Sequence, residues 1–260
     1  MGMAGLKHLT VGLVLGLSIS QANAQTASSS TLADAWLQWQ QANPAPVAWQ
    51  YAFALRHDTA ADLRNRRRQL IAELRTLTVS SRVAGRSDRV AALTVWRERL
   101  ASWDDDQTRT PGRMDLPWLG ANLRHNPPLS RIVHLGVCDT PGWVEVWSLD
   151  GVTRLDWVPD LTMDDVLDAL SQEAAQDADH AAIVSPNGDI TRRGVAAWNH
   201  ETSPLVPGSR VMLELPTRQG LRAALPFPGT THEADLINTR LPALLATRLP
   251  GDDCTMTRTP

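Results

Sequence analysis

The stretch that most limits what this chain can become is residues 131–215, where glycine and proline turn signals cut an apolar pattern into short strands around one helix. Val133, Leu135 and Val137 share one side of an extended segment that runs into Asp139-Thr140-Pro141-Gly142, a turn with proline and glycine in favourable places. Trp143 to Leu149 reads as the returning strand, and Asp150-Gly151 adds a further turn signal. Thr162 and Asp165 are spaced for a capping box, with Leu161 and Val166 at the staple positions, so a helix starts there. Val166, Leu167 and Leu170 supply its buried face. Ala181 to Ser185, the turn Pro186-Asn187-Gly188-Asp189 and Ile190 to Trp198 predict a second hairpin, and Pro207-Gly208 leads into a last strand, Val211 to Leu215. The order β-β-α-β-β, with one capped helix over a sheet face, is a β-grasp plan. Nothing in it has the pattern of a catalytic centre.

The first 24 residues have the pattern of an export signal. Lys7 and His8 precede the apolar run Val11 to Ile19, which ends in the small-x-small triplet Ala22-Asn23-Ala24. Cleavage is expected after Ala24, which makes the mature chain periplasmic if the host is a Gram-negative bacterium. Lys7 is the only lysine, so the mature chain sets 24 arginines against 28 acidic residues, a formal net charge of −4. That mild acidity argues against non-specific binding to nucleic acid or anionic membranes. No later segment reaches the roughly 18 to 20 consecutive apolar residues of a membrane span. Cys138 and Cys254 belong to a compartment in which disulfides persist; the sequence leaves open whether they pair or stay as two thiols.

Upstream, Thr31 and Asp34 form another capping-box pattern, and Leu32, Ala35, Trp36 and Trp39 recur at helical spacing until Pro44 and Pro46. Val47 to Leu55 alternates loosely and predicts a strand. Two helices follow, about 59–79 and 87–103, with seams of Leu63, Leu70, Leu74 and Leu77, and of Val90, Leu93, Trp96, Leu100 and Trp103. The short link through Gly85 makes them an antiparallel hairpin. The run Arg64, Arg66, Arg67, Arg68 lies mostly off the first seam and reads as a solvated face, as do the loop acids Asp104 to Asp106. Residues 107–130 read as a short extended piece around Arg113 to Trp118 followed by a linker. Near the end, Leu236, Ile237, Leu241, Leu244, Leu245 and Leu249 keep helical spacing, with Pro242 as a kink or restart.

The pieces Gly112-Arg113-Met114-Asp115-Leu116, Asn126-Pro127-Pro128-Leu129, Val133 to Gly142, Ser185-Pro186-Asn187-Gly188, Gly194 to Asn199, Pro207-Gly208 and Leu236-Ile237-Asn238 stand in a distinctive order. In that order and spacing the chain resembles the GfcC-type capsule biosynthesis proteins over most of residues 31–249. The resemblance implies a periplasmic protein of capsule or exopolysaccharide export. It implies an α+β fold of β-grasp domains similar to those of outer-membrane polysaccharide export proteins, an inserted helical hairpin and a C-terminal amphipathic helix. The expected division is a signal peptide at 1–24, a first β-grasp domain at 25–130 carrying the hairpin, a second at 131–216, and a C-terminal amphipathic helix and tail at 217–260. The sequence departs from the family in having little room before Thr31 for an opening hairpin, and in running from Leu129 almost directly into Val133. Both departures bear on whether the first domain is complete.

The resemblance carries no reaction with it, and the residues supply none. No G-x-S-x-G elbow occurs, His232-Glu233 lacks the second histidine of a zinc-protease helix, and His57, His125, His134, His180 and His200 have no ligand spacing. No catalytic residue, metal or cofactor is therefore expected. Ten tryptophans against one tyrosine and two phenylalanines make a glycan groove attractive, with Trp143, Trp147 and Trp198 as candidates, although Trp36, Trp39, Trp96 and Trp103 fall on helical seams as core anchors. Arg113 could grip a carboxylate or phosphate, or serve in a structural salt bridge. Leu236, Ile237, Leu241, Leu244 and Leu245 are the candidate face of a docking helix. The expectation is a non-enzymatic periplasmic factor that binds the polysaccharide or an export partner such as an outer-membrane polysaccharide export protein. A glycan lyase or hydrolase, and a purely structural stabiliser of an export channel, stay open as alternatives.

Overall fold

The computed structural model describes residues 30–176, 178–216 and 230–259. The expected signal peptide and its cleavage site lie outside these residues. Among the described residues, seven α-helices and two sheets form a mixed α+β fold. Among these residues no helix is long and apolar enough to cross a membrane.

The smaller sheet has the order β1 (Ala52–Arg56), β2 (Ile132–Cys138), β8 (Cys254–Arg258), antiparallel throughout. Its core is closed by α1 (Leu32–Ala42) and α4 (Leu116–Ala121), which bring Leu32, Trp36 and Leu119 against Ala54, Ile132 and Leu135. Thr31 caps α1 through the full capping box with Asp34. The extended segment expected near Arg113 to Trp118 instead turns into α4 from Leu116 onward. Asp115 accepts a hydrogen bond from the Trp118 amide, and the proline sits in the first turn, where its missing N–H costs nothing. The strand expected from Val47 begins only at Ala52, after a 3-10 turn over Trp49–Tyr51.

The larger sheet has the order β4 (Gly151–Asp156), β3 (Trp143–Ser148), β7 (Arg210–Leu213), β5 (His180–Val184), β6 (Ile190–Gly194). The central pair β3–β7 is parallel and every other pair antiparallel. Both faces are covered. α5 (Met163–Asp168), capped by Thr162 and Asp165 as its spacing predicts, packs Met163 and Val166 against Val144, Val146, Ile183 and Val211. The opposite face presents Trp147, Val184 and Met212 to the hairpin of α2 (His57–Val83) and α3 (Ser87–Ala101) and to α7 (Thr230–Leu245). A short helix α6 (Gln172–Gln176) lies before β5.

Two expectations change here. The segment Val133 to Val137 does not pair with Trp143 to Leu149; β2 lies between β1 and β8 in the smaller sheet, and the hairpin partner of β3 is β4, across the turn at Asp150-Gly151. Alternation makes a strand but does not choose its neighbour, because any strand satisfies the same backbone groups. At Gly136 a side chain would collide with the Thr255 carbonyl, so the close approach of β8 needs glycine there. The second change concerns α7. Ile237, Leu241, Leu244 and Leu245 are buried in the core shared with α2 and the larger sheet, and Leu236 is half-buried. An ion pair between Arg240 and Glu73 adds a link to α2. The seam read as a docking face is thus satisfied within the molecule.

Cys138 and Cys254 face each other across β2 and β8 and form a disulfide. The basic run on α2 is a locally paired surface: Arg66 pairs with Asp62, Arg67 and Arg64 with Asp105, and Arg68 donates to Asn65.

Candidate functional site

Between the larger sheet, the end of the hairpin and the segment that leads into β8 lies a cleft of about 480 Å3 whose wall is largely polar. Arg99 reaches it from α3, Glu145 from β3, Arg154 from β4, Arg210 from β7, and Arg248 and Asp252 from the segment between α7 and β8. The period of two along β3 explains the placement of Glu145. Trp143, Glu145 and Trp147 point to one face while Val144 and Val146 point to the other, so the carboxylate must lie between two indoles.

Glu145 is 3% exposed and serves three guanidinium groups. Its Oε2 lies 3.3 Å from Arg99 and 3.4 Å from Arg154; its Oε1 accepts from the Trp147 indole at 3.0 Å and lies 3.6 Å from Arg210. Burial raises the pKa of Glu145, but Arg210, the Trp147 indole, Arg99 and Arg154 outweigh it and hold the carboxyl below its ordinary value. Arg154 also makes a two-point bond to Asp252, at 2.6 and 3.1 Å, while its guanidinium lies 4.1 Å from the centre of the Trp143 ring. The Trp143 indole donates to the same Asp252 at 3.0 Å.

The remaining arginines are less fully paired. Arg210 is 5% exposed; it donates to the Leu249 carbonyl at 2.8 Å, and its Nη1 makes no hydrogen bond. Arg248 donates to the Asp104 carbonyl and to Gln107, and lies over Trp103 at 4.7 Å. Among the described residues no carboxylate stands within ion-pair distance of it. Burial, with Arg210 next in effect, brings its pKa down to about 10, so it remains a cation at neutral pH.

Of the candidate residues picked out from sequence, Trp143 and Trp147 adjoin this cleft, through Asp252 and Glu145. Trp147 is fully buried against Trp96 and Trp103, so its ring offers no sugar platform; an indole whose N–H meets a buried carboxylate belongs to the core. Arg113 forms a two-point salt bridge with the buried Asp115, both bonds at 2.9 Å, the structural of its two readings. Trp198 stands apart, 73% exposed beside His180 toward the β6 edge, in a small pocket with Arg192 and Glu214. Arg99, Arg154, Arg210 and Arg248 carried no sequence signal, since lone arginines in helices, strands and loops look like surface. Glu145 did carry one: an acid flanked at both i±2 positions by tryptophan is marked for burial with a partner. Among the described residues no group of three or more histidine, cysteine or acidic side chains is arranged to hold a metal ion.

Residues 152–250, which run from β4 through α7, match the family model described as capsule biosynthesis GfcC C-terminal. No curated protein matches the chain.

Proposed function

Because residues 152–250 place this chain in the GfcC-type capsule biosynthesis family, we propose that it acts in the periplasm as a non-catalytic factor of capsule or exopolysaccharide export. In this reading it binds the polysaccharide or a partner in the export machinery, such as an outer-membrane polysaccharide export protein. The family match is the observation that carries the reading. The strand order of the larger sheet, with its parallel central pair and a helix on one face, supports a β-grasp assignment, and the position of α2 and α3 between β1 and β2 supports a hairpin inserted in the first unit. The fold alone would not give the function.

The state of Glu145 does not suit a general acid. A general acid works best with its pKa near the operating pH, whereas the arginines keep this carboxylate ionised. Deleting the gene in a strain shown to make surface polysaccharide should reduce the attached polymer, with recovery on expression of the exported protein. Unchanged polymer would end the reading, and new reducing ends on incubating purified protein with the polymer would replace it with an enzymatic one.

Trp198 is the exposed aromatic candidate for sugar stacking. Trp198→Ala should leave unfolding within ~0.5 kcal/mol of the parent, as surface substitutions do, while loosening retention in polysaccharide-containing affinity gels. Identical retention would remove Trp198 from the binding surface.

A further inference from the structure

We propose that the arginine-lined cleft is a receptor for an oxyanion carried on a sugar: a carboxylate or phosphate substituent of an acidic glycan, held by Arg248, Arg99 and Arg210 beside Trp103. The proposal rests on the polysaccharide-binding reading above and deepens it by naming the ligand chemistry.

The balance of charge inside the cleft carries the argument. Four guanidinium groups line it, yet Glu145 is divided among three of them and Asp252 is engaged by Arg154 and Trp143. Asp104 offers Arg248 only its carbonyl, and its own carboxylate accepts the Asp106 amide. Arg248 therefore faces the cleft with no carboxylate within ion-pair distance among the described residues, and Arg210, which shares Glu145, is buried with one terminal nitrogen unbonded. A cluster that served only to hold the elements together would satisfy its buried donors, because a buried polar group left without a partner is costly. A bound oxyanion completes this one. Guanidinium forks match the planar oxygens of carboxylate and phosphate in two-point bonds, and a cleft lined by one sign of charge concentrates the opposite ion. Its volume of about 480 Å3 lies within the roughly 300 to 1,000 Å3 of small-molecule sites.

Titration calorimetry of the purified mature protein with oligogalacturonate, mannose 6-phosphate and maltohexaose tests the assignment. At least one oxyanion probe should bind about tenfold or more tightly than neutral maltohexaose, and which one binds identifies the substituent. Arg248→Gln should weaken that binding about tenfold or more, the loss of one charged hydrogen-bonding group. Arg99→Gln, at a half-exposed side chain that folding tolerates more readily, should weaken it in the same direction. Equal affinity for maltohexaose, or parental affinity in both variants, overturns the proposal. The two readings fail separately. If the deletion strain loses its polysaccharide and both variants restore it fully, the cleft assignment falls and the pathway reading stands. If deletion has no effect while the protein still binds an oxyanion probe, the reverse holds.

Discussion

Replacing Glu145 with glutamine should destabilise the fold by about 3 to 5 kcal/mol at neutral pH, the range for removing one partner of a buried ion pair. Glutamine keeps an oxygen for the Trp147 indole but withdraws the charge shared by Arg99, Arg154 and Arg210, the last of them almost wholly buried. The pH dependence gives a sharper test than the size of the effect. The folded protein holds Glu145 below its ordinary value of 4.5, so its contribution is fully present above that value. It is lost as pH falls through the lower folded value, when the unfolded chain binds the proton more readily. Urea unfolding of parent and variant should therefore differ most at neutral pH and converge in acid. A gap that stays constant down to pH 3 would mean that the charge of Glu145 is not what matters.

The second large effect belongs to the disulfide. Cys138 and Cys254 are separated by 116 positions, and closing so long a loop restricts the unfolded chain by about 4 to 5 kcal/mol in the chain-entropy account. Reduction, or Cys254→Ala, should lower the urea midpoint accordingly. The first region to loosen should be β8, an edge strand held by β2 alone in its sheet. Hydrogen exchange would show this as early loss of protection at residues 254–258 with the β3–β7 pair still protected. A loss below about 1 kcal/mol would show that the unfolded chain is already compact enough for the link to matter little.

Helices were the most legible part of this chain. The pairs Thr31–Asp34 and Thr162–Asp165 mark two helix starts within four residues of sequence, and both capping boxes form. The leucine seam of α2 and the Leu93, Trp96, Leu100 seam of α3 are buried where their spacing puts them. Such signals are local, as the partners lie within a turn or two of one another. The misread segments lacked that property. Asp115-Leu116-Pro117-Trp118 is a helix start whose run is too short to show a period, and nothing in Val133 to Val137 records that its neighbours come from residues 52–56 and 254–258. The apolar seam of α7 was visible, but an amphipathic helix looks the same whether its apolar face meets its own core or a partner.

The sequence by itself determined where α1 and α5 begin, which faces of the longer helices are apolar, where the turns at Asp150-Gly151 and Pro186 to Asp189 fall, and that Glu145 shares a strand face with two tryptophans. These follow from the 3.6- and 2-residue periods of the backbone and from side chains bonding to amides a few residues away. Tertiary structure alone decided that Cys138 meets Cys254, that Ile237, Leu241, Leu244 and Leu245 turn inward, and that arginines from α3, β4, β7 and the segment after α7 converge on one cleft. Each of those outcomes joins residues tens to more than a hundred positions apart. Their encounter depends on which strands pair and which faces pack, a choice made by the whole chain as it buries its apolar surface.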